Sequence, residues 1–164
     1  MEDRLARMER RLQELEDREG IRDAINRFGH ALDYGPAEAW VDCFTPDGIF
    51  DIRTRKGLPS YNEYPTVNAG AEALLKLAKA HPVAPDEYHK HLTLLPEYIE
   101  IKGDTAKVRS YFIVIHEIKG PPETVHSGTY DDVFVRCADG RWRIKERVVE
   151  VTGSPGPLKQ WLEK

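Results

Sequence analysis

The chain has 164 residues, of which 40% are hydrophobic and 32% charged, and its formal net charge is −4. That length suits one domain with a real core, and that composition excludes a disordered chain. The acidic balance, with no basic block or RNA-type aromatic motif, argues against nucleic acid as a partner, and no apolar run approaches the ~18 residues of a membrane span.

The opening "MEDRLARMERRLQELEDREG" is charged throughout and lacks a signal-peptide core, which predicts a cytoplasmic protein. Leu5, Met8, Leu12 and Leu15 recur at three- and four-residue steps and predict a helix with one narrow apolar stripe. Such a stripe suits either a short coiled coil with another chain or packing on its own domain. Gly20 interrupts the pattern, and Ile21, Ile25, Phe28 and Leu32 resume it as a core-facing stripe. The expected division is a helical extension over 1–17, a domain over 18–152 and a tail over 153–164. "DYGP" ends the helix, with Gly35 as its C-terminal cap and Pro36 in the first turn of a short helix carrying Trp40, Val41 and Phe44.

"FTPDGIFDI" reads as a tight turn at Pro46-Asp47-Gly48 followed by a short strand. Residues 53–69 read as irregular, with "LPSYNEYPT" an exposed loop, and "AGAEALLKLAKAH" as a further helix. The remainder predicts antiparallel strands over His91–Ile101, Ala106–Ile118, Val125–Arg136 and Arg141–Val151, the last two joined by a hairpin at "ADGR". The tail after "GSPGP" predicts a helical turn through Trp161. Helices followed by a meander of strands indicate an α+β fold, a bent antiparallel sheet covered on one face by helices and shaped as a cone that holds small ligands.

Three pieces, "IRDAINRFGHALDYGPAEAWVDCFTPDGIFD", "HLTLLPEYIEIKGDTAKVRSYF" and "SGTYDDVFVRCADGRWRIKER", taken in this order, resemble the SnoaL-like branch of the NTF2-like superfamily. The resemblance implies a cone-shaped, cystatin-like α+β barrel over about residues 18–151 and a homo-oligomer, dimer or trimer. It does not imply one reaction: the superfamily includes dehydratases, a dehydrochlorinase, isomerases, polyketide cyclases, epoxide hydrolases and non-catalytic dioxygenase subunits. Function must come from the site.

Asp33 falls at a helix C-terminus, against the negative end of the helix dipole, and needs a compensating partner. In the scytalone dehydratase-like and dehydrochlorinase-like members, an aspartate at this place contacts a histidine at the position of His91, and the resemblance implies a base dyad of the two. The carboxylate would fix the imidazole tautomer and stabilise the imidazolium formed on proton abstraction. His116 shares parity with the apolar row Ala106, Val108, Phe112 and Val114 and is a second pocket candidate. His30, three residues before Asp33, is a competing partner for it.

Tyr34, Tyr61 and Tyr64 are candidate phenol donors to substrate, and Phe112 and Tyr130 candidate pocket walls. Glu146 and Glu150 share parity with Trp142, whereas Arg147 lies opposite. His89 and His91 form an HxH pair, but no third ligand stands at suitable spacing, and Pro85 and Asp86 place His89 in the incoming loop; no metal and no other cofactor is expected. Cys43 and Cys137 lack CxxC spacing and read as idle thiols. The function expected is a cofactor-independent lyase, dehydratase in type, on a small hydrophobic cyclic or polyketide-like compound. The alternatives are an isomerase or cyclase using the same dyad, or a non-catalytic binding or assembly subunit.

Overall fold

The computed structural model describes residues 2–54, 67–81, 89–94, 96, 98–116 and 121–153. Among these residues three helices, α1 (Glu2–Tyr34), α2 (Ala37–Val41) and α3 (Gly70–Ala80), accompany seven strands in the order α1-α2-β1-β2-α3-β3-β4-β5-β6-β7. The strands are β1 (Phe44–Thr54), β2 (Val67–Ala69), β3 (His89–Thr93), β4 (Tyr98–Lys102), β5 (Thr105–His116), β6 (Glu123–Arg136) and β7 (Trp142–Gly153). They form one curved, open sheet in the order β2-β1-β7-β6-β5-β3, with β4 also on β5. Every pairing is antiparallel except β1 with β7, which is parallel.

Helix α1 is continuous through Gly20, where the apolar pattern predicts an interruption. The glycine is there for proximity: a Cβ at this position would stand 2.9 Å from Cδ1 of Trp142, so its absence lets β7 pack against the helix. Asp17 marks the point at which α1 meets the sheet, buried and bound to Arg136 at 2.5 Å. From there Ile21, Ala24, Ile25, Phe28 and Leu32 are buried on the inner face of the sheet. Phe28 is the hub of an aromatic cluster, its ring centroid 5.6 Å from Trp40, 6.0 Å from Phe44 and 6.1 Å from Tyr130. Gly35 has no positive φ; its amide donates to the Ala31 carbonyl, and a Cβ would stand 2.8 Å from that oxygen. It is there for close approach rather than as a left-handed cap.

The strand expected over His91–Ile101 is two strands. Pro96, which has no N–H to give to a ladder, lies between them, and β3 and β4 pair separately with the two halves of β5. The turn expected at Pro46-Asp47-Gly48 is an irregularity within β1, where the pairing with β7 jumps between Phe44 and Ile49. β2, inside the stretch read as irregular, pairs with β1. The turn expected through Trp161 lies outside the described residues.

A bulge in β7 decides which side chains line the interior. Val133 pairs with Glu146 and Phe134 with Ile144, which leaves Lys145 as the extra residue and reverses the parity beyond it. Glu146 and Glu150 therefore leave the face of Trp142 and Ile144, and Arg147 enters it. Arg147 and Asp132, neighbours across the β6–β7 ladder, are both wholly buried at 0% side-chain exposure. The guanidinium donates to both carboxylate oxygens at 2.8 and 2.7 Å, and its carbon lies 4.1 Å from the ring centres of both Phe28 and Tyr130. A bidentate pair between two aromatic faces is the geometry in which a buried guanidinium is tolerated.

Removing one member would strand the other charge in the core. Arg147→Met alone is expected to lower the unfolding free energy by about 3–5 kcal/mol. Arg147→Met with Asp132→Leu is expected to recover most of that loss, both read from urea-unfolding curves.

Candidate functional site

The site lies where the C-terminal turn of α1 meets β3. Asp33 and His91 are 7% and 12% exposed in their side chains, and Asp33 Oδ1 stands 2.5 Å from His91 Nδ1. The second carboxylate oxygen accepts the backbone N–H of His91 at 2.9 Å. Both oxygens thus end on one residue, which offsets the helix dipole. An Nδ1–H donating to the carboxylate leaves Nε2 as the proton acceptor. Gly29, one turn earlier, permits the approach: a Cβ there would lie 2.9 Å from the His91 carbonyl oxygen.

His91 has company that its sequence neighbourhood does not reveal. It pairs in register with Val114 on β5, and Val114 pairs with His126 on β6; one step along, His89 pairs with His116. Residues opposite one another across a ladder share a face, here the face on which Val114 is buried. His81, at the C-cap of α3, brings its ring to 5.2 Å from His91 and 5.8 Å from His89. Five of the six histidines of the chain therefore converge. His89 is neither a loop residue nor a mouth residue: it opens β3, is 3% exposed, and stacks on His116 with ring centres 4.3 Å apart and planes 7° from parallel. Among the described residues no group of three His, Cys, Asp or Glu side chains could hold a metal ion.

Burial keeps three of these imidazoles neutral. It lowers His81 from 6.5 to about 4, helped by His91 and opposed by Asp33. It lowers His89 to about 3, with His116 adding to the effect. His126 falls to about 4 through burial and the proximity of His91 and His116.

The other candidates are divided by the fold. Phe112 and Tyr130 are buried and stacked, ring centres 4.5 Å apart, on the same inner face. Burial raises the Tyr130 phenol far above its ordinary value of 10.0, so it remains a hydrogen-bond donor at all ordinary pH. Tyr34 is half exposed on the outside of α1, where it lines a cleft of about 260 Å³ with Ile25, Gly29, Asp33, His91 and Thr93. His30 is exposed and lies beside the Tyr34 ring, 6.2 Å away, while both oxygens of Asp33 serve His91. Tyr61, Tyr64, Pro85 and Asp86 lie outside the described residues. Cys43 and Cys137 are free thiols. His81 and His126 were absent from the sequence candidates. Parity with Tyr130 pointed to His126, whereas nothing local to "AKAHPV" marks His81.

The histidine cluster makes stability pH-dependent. The folded pKa values of His81, His89 and His126 lie below 6.5, so between about pH 6.5 and about pH 4 the unfolded chain binds protons that the folded chain refuses. Stability is expected to fall as pH drops through that window. His126→Gln should flatten the fall, measured as urea midpoints across it; an unchanged slope would contradict the burial of this imidazole.

The SnoaL-like domain model matches residues 13–148. Among solved structures, a protein of unknown function from Mycobacterium tuberculosis is 28% identical with a TM-score of 0.70, over 85% of this chain and 73% of that one. An NTF2-like protein with a cystatin-like fold from Novosphingobium aromaticivorans is 25% identical with a TM-score of 0.74, over 94% of each chain. A protein from Catenulispora acidiphila in complex with S-DNPA is 28% identical with a TM-score of 0.63, over 80% of this chain and 90% of that one. No curated protein matches.

Proposed function

The chain belongs to the SnoaL-like domain family, with the NTF2-like, cystatin-like fold, and on that premise we propose that it is a cofactor-independent lyase of the dehydratase type. The observation that carries the proposal is the 2.5 Å contact between Asp33 and His91. His91 Nε2 takes a proton from a carbon made acidic by a neighbouring carbonyl, and the Asp33 carboxylate stabilises the imidazolium that results. The electron pair of the broken C–H bond passes into an enolate-like system. It then forms the new double bond as the β-hydroxyl leaves with a proton, as water.

His116 supplies the second imidazole, to hold the enolate-like oxygen or to protonate the departing hydroxyl. Tyr130 and Phe112 supply the wall against which a flat hydrophobic ring lies, with the Tyr130 phenol as a donor. The apolar character of that wall supports a small cyclic or polyketide-like substrate. The relative from Catenulispora acidiphila was solved in complex with S-DNPA, which supports a ligand site in this fold. An isomerase or cyclase would share the proton abstraction and differ only in the fate of the enolate. A cytoplasmic location fits this reading.

A screen of hydroxylated cyclic ketones by mass spectrometry separates the outcomes. Loss of water from a turned-over compound is the result expected, and a product of unchanged mass would replace the lyase with an isomerase. On a compound that turns over, His91→Ala and Asp33→Asn should each reduce kcat by about 100-fold or more, assayed at a temperature where circular dichroism shows each variant folded. Near-normal turnover in both variants would reject the dyad.

A further inference from the structure

The first four turns of α1 carry an apolar stripe that the domain leaves open. Leu5, Met8, Leu12 and Leu15 are each 57–59% exposed. At 3.6 residues per turn these four side chains point in one direction, and Ile21, Ala24, Ile25, Phe28 and Leu32 point about 180° from it. The second group is buried on the sheet, so the first faces away from the domain, and no bend short of a break in α1 would let the core cover it.

The steps of the stripe, three, four and three, are those of a heptad seam with Leu5 and Leu12 at a and Met8 and Leu15 at d. That register places Arg4, Arg11 and Arg18 at g and Glu9 and Glu16 at e. All flanking residues on one side are therefore basic and all on the other acidic. In a parallel in-register pair each g residue faces the e residue of the other helix in the next heptad, so Arg4 meets the partner's Glu9 and Arg11 the partner's Glu16. By two-fold symmetry this makes four attractive contacts. An antiparallel pair would set arginine against arginine and glutamate against glutamate. Arg18 is engaged by Glu14 on its own helix at 3.1 Å.

We propose that Arg4–Leu15 forms a parallel two-stranded coiled coil with the same segment of a second copy of this chain. The seam ends where the fold requires it to end. The next a and d positions are Glu19 and Arg22, and at Asp17 the helix is bound to Arg136 on its own sheet. Two heptads would be marginal as isolated peptides, because nucleating a helix is costly. Here the segment extends a helix already held by its packed C-terminal half. Because the stripe and the core-facing stripe lie on opposite sides of α1, a two-fold axis along the stripe puts the two domains on the outer sides of the pair.

The test uses the full chain in sedimentation equilibrium. Arg4→Glu with Arg11→Glu makes both flanks acidic, and Glu9→Arg with Glu16→Arg makes both basic. Each variant alone should fall to half the wild-type mass, and an equimolar mixture of the two should return to it. Leu12→Cys should cross-link to a disulfide-bonded pair under mild oxidation, while the native chain does not. Several results would overturn the proposal: a monomeric or three-chain wild type, variants that keep the wild-type mass, or failure of Leu12→Cys to cross-link. Cross-linking between Leu5→Cys and Leu15→Cys chains instead would show antiparallel pairing and overturn it too.

Discussion

A carboxylate buried at the wrong end of a helix is the constraint around which this protein is arranged. Asp33 sits at the C-terminus of α1, where the helix dipole opposes its charge, and it is shielded from water. The unfavourable placement is offset by two N–H groups of a single residue, the backbone and the ring of His91. The end of α1 must therefore lie directly on the first strand after α3. Much else follows from that contact. Gly29 has no side chain because β3 passes beside it. The ring of His91 is fixed in tautomer and direction because the carboxylate is fixed.

Elsewhere in the core, buried charge is held by a close partner. Arg147 is wholly buried because Asp132 answers it with both oxygens and two aromatic rings lie against its faces. Burial drives the imidazoles of His81, His89 and His126 to the neutral form, and neighbouring imidazoles add to the effect. The His91 ring stands against the Asp33 carboxylate, its Nδ1 2.5 Å from Oδ1.

Helix α1 links two regions of different character. Its C-terminal half is a core element whose small residues, Gly20 and Gly29, let two strands come close. Its N-terminal half stands clear of the domain, with charges in a heptad order and apolar residues on the face opposite the core. The division falls at Asp17, where the last exposed turn is tied to β6. One rigid element thus carries an outward-facing seam at one end and the site aspartate at the other.

Much of this was legible in the chain. Apolar periodicity determined the helical character of residues 2–34, and alternation determined β5, β6 and β7 as strands, because both patterns follow from local geometry. The awkward placement of Asp33 was visible as a charge against a dipole. Tertiary structure decided the rest. Pro96 divided a predicted strand, and one extra residue at Lys145 exchanged Glu146 for Arg147 on the inner face; a bulge is a property of the pairing between two strands, and neither strand records it alone. His89 moved from an expected loop to a stacked, buried position, and His81 and His126 joined it, because ring proximity depends on which strands are neighbours. The sequence by itself determined which candidate side chains were available. Which of them meet was decided by the register of the sheet and by the place where α1 crosses it.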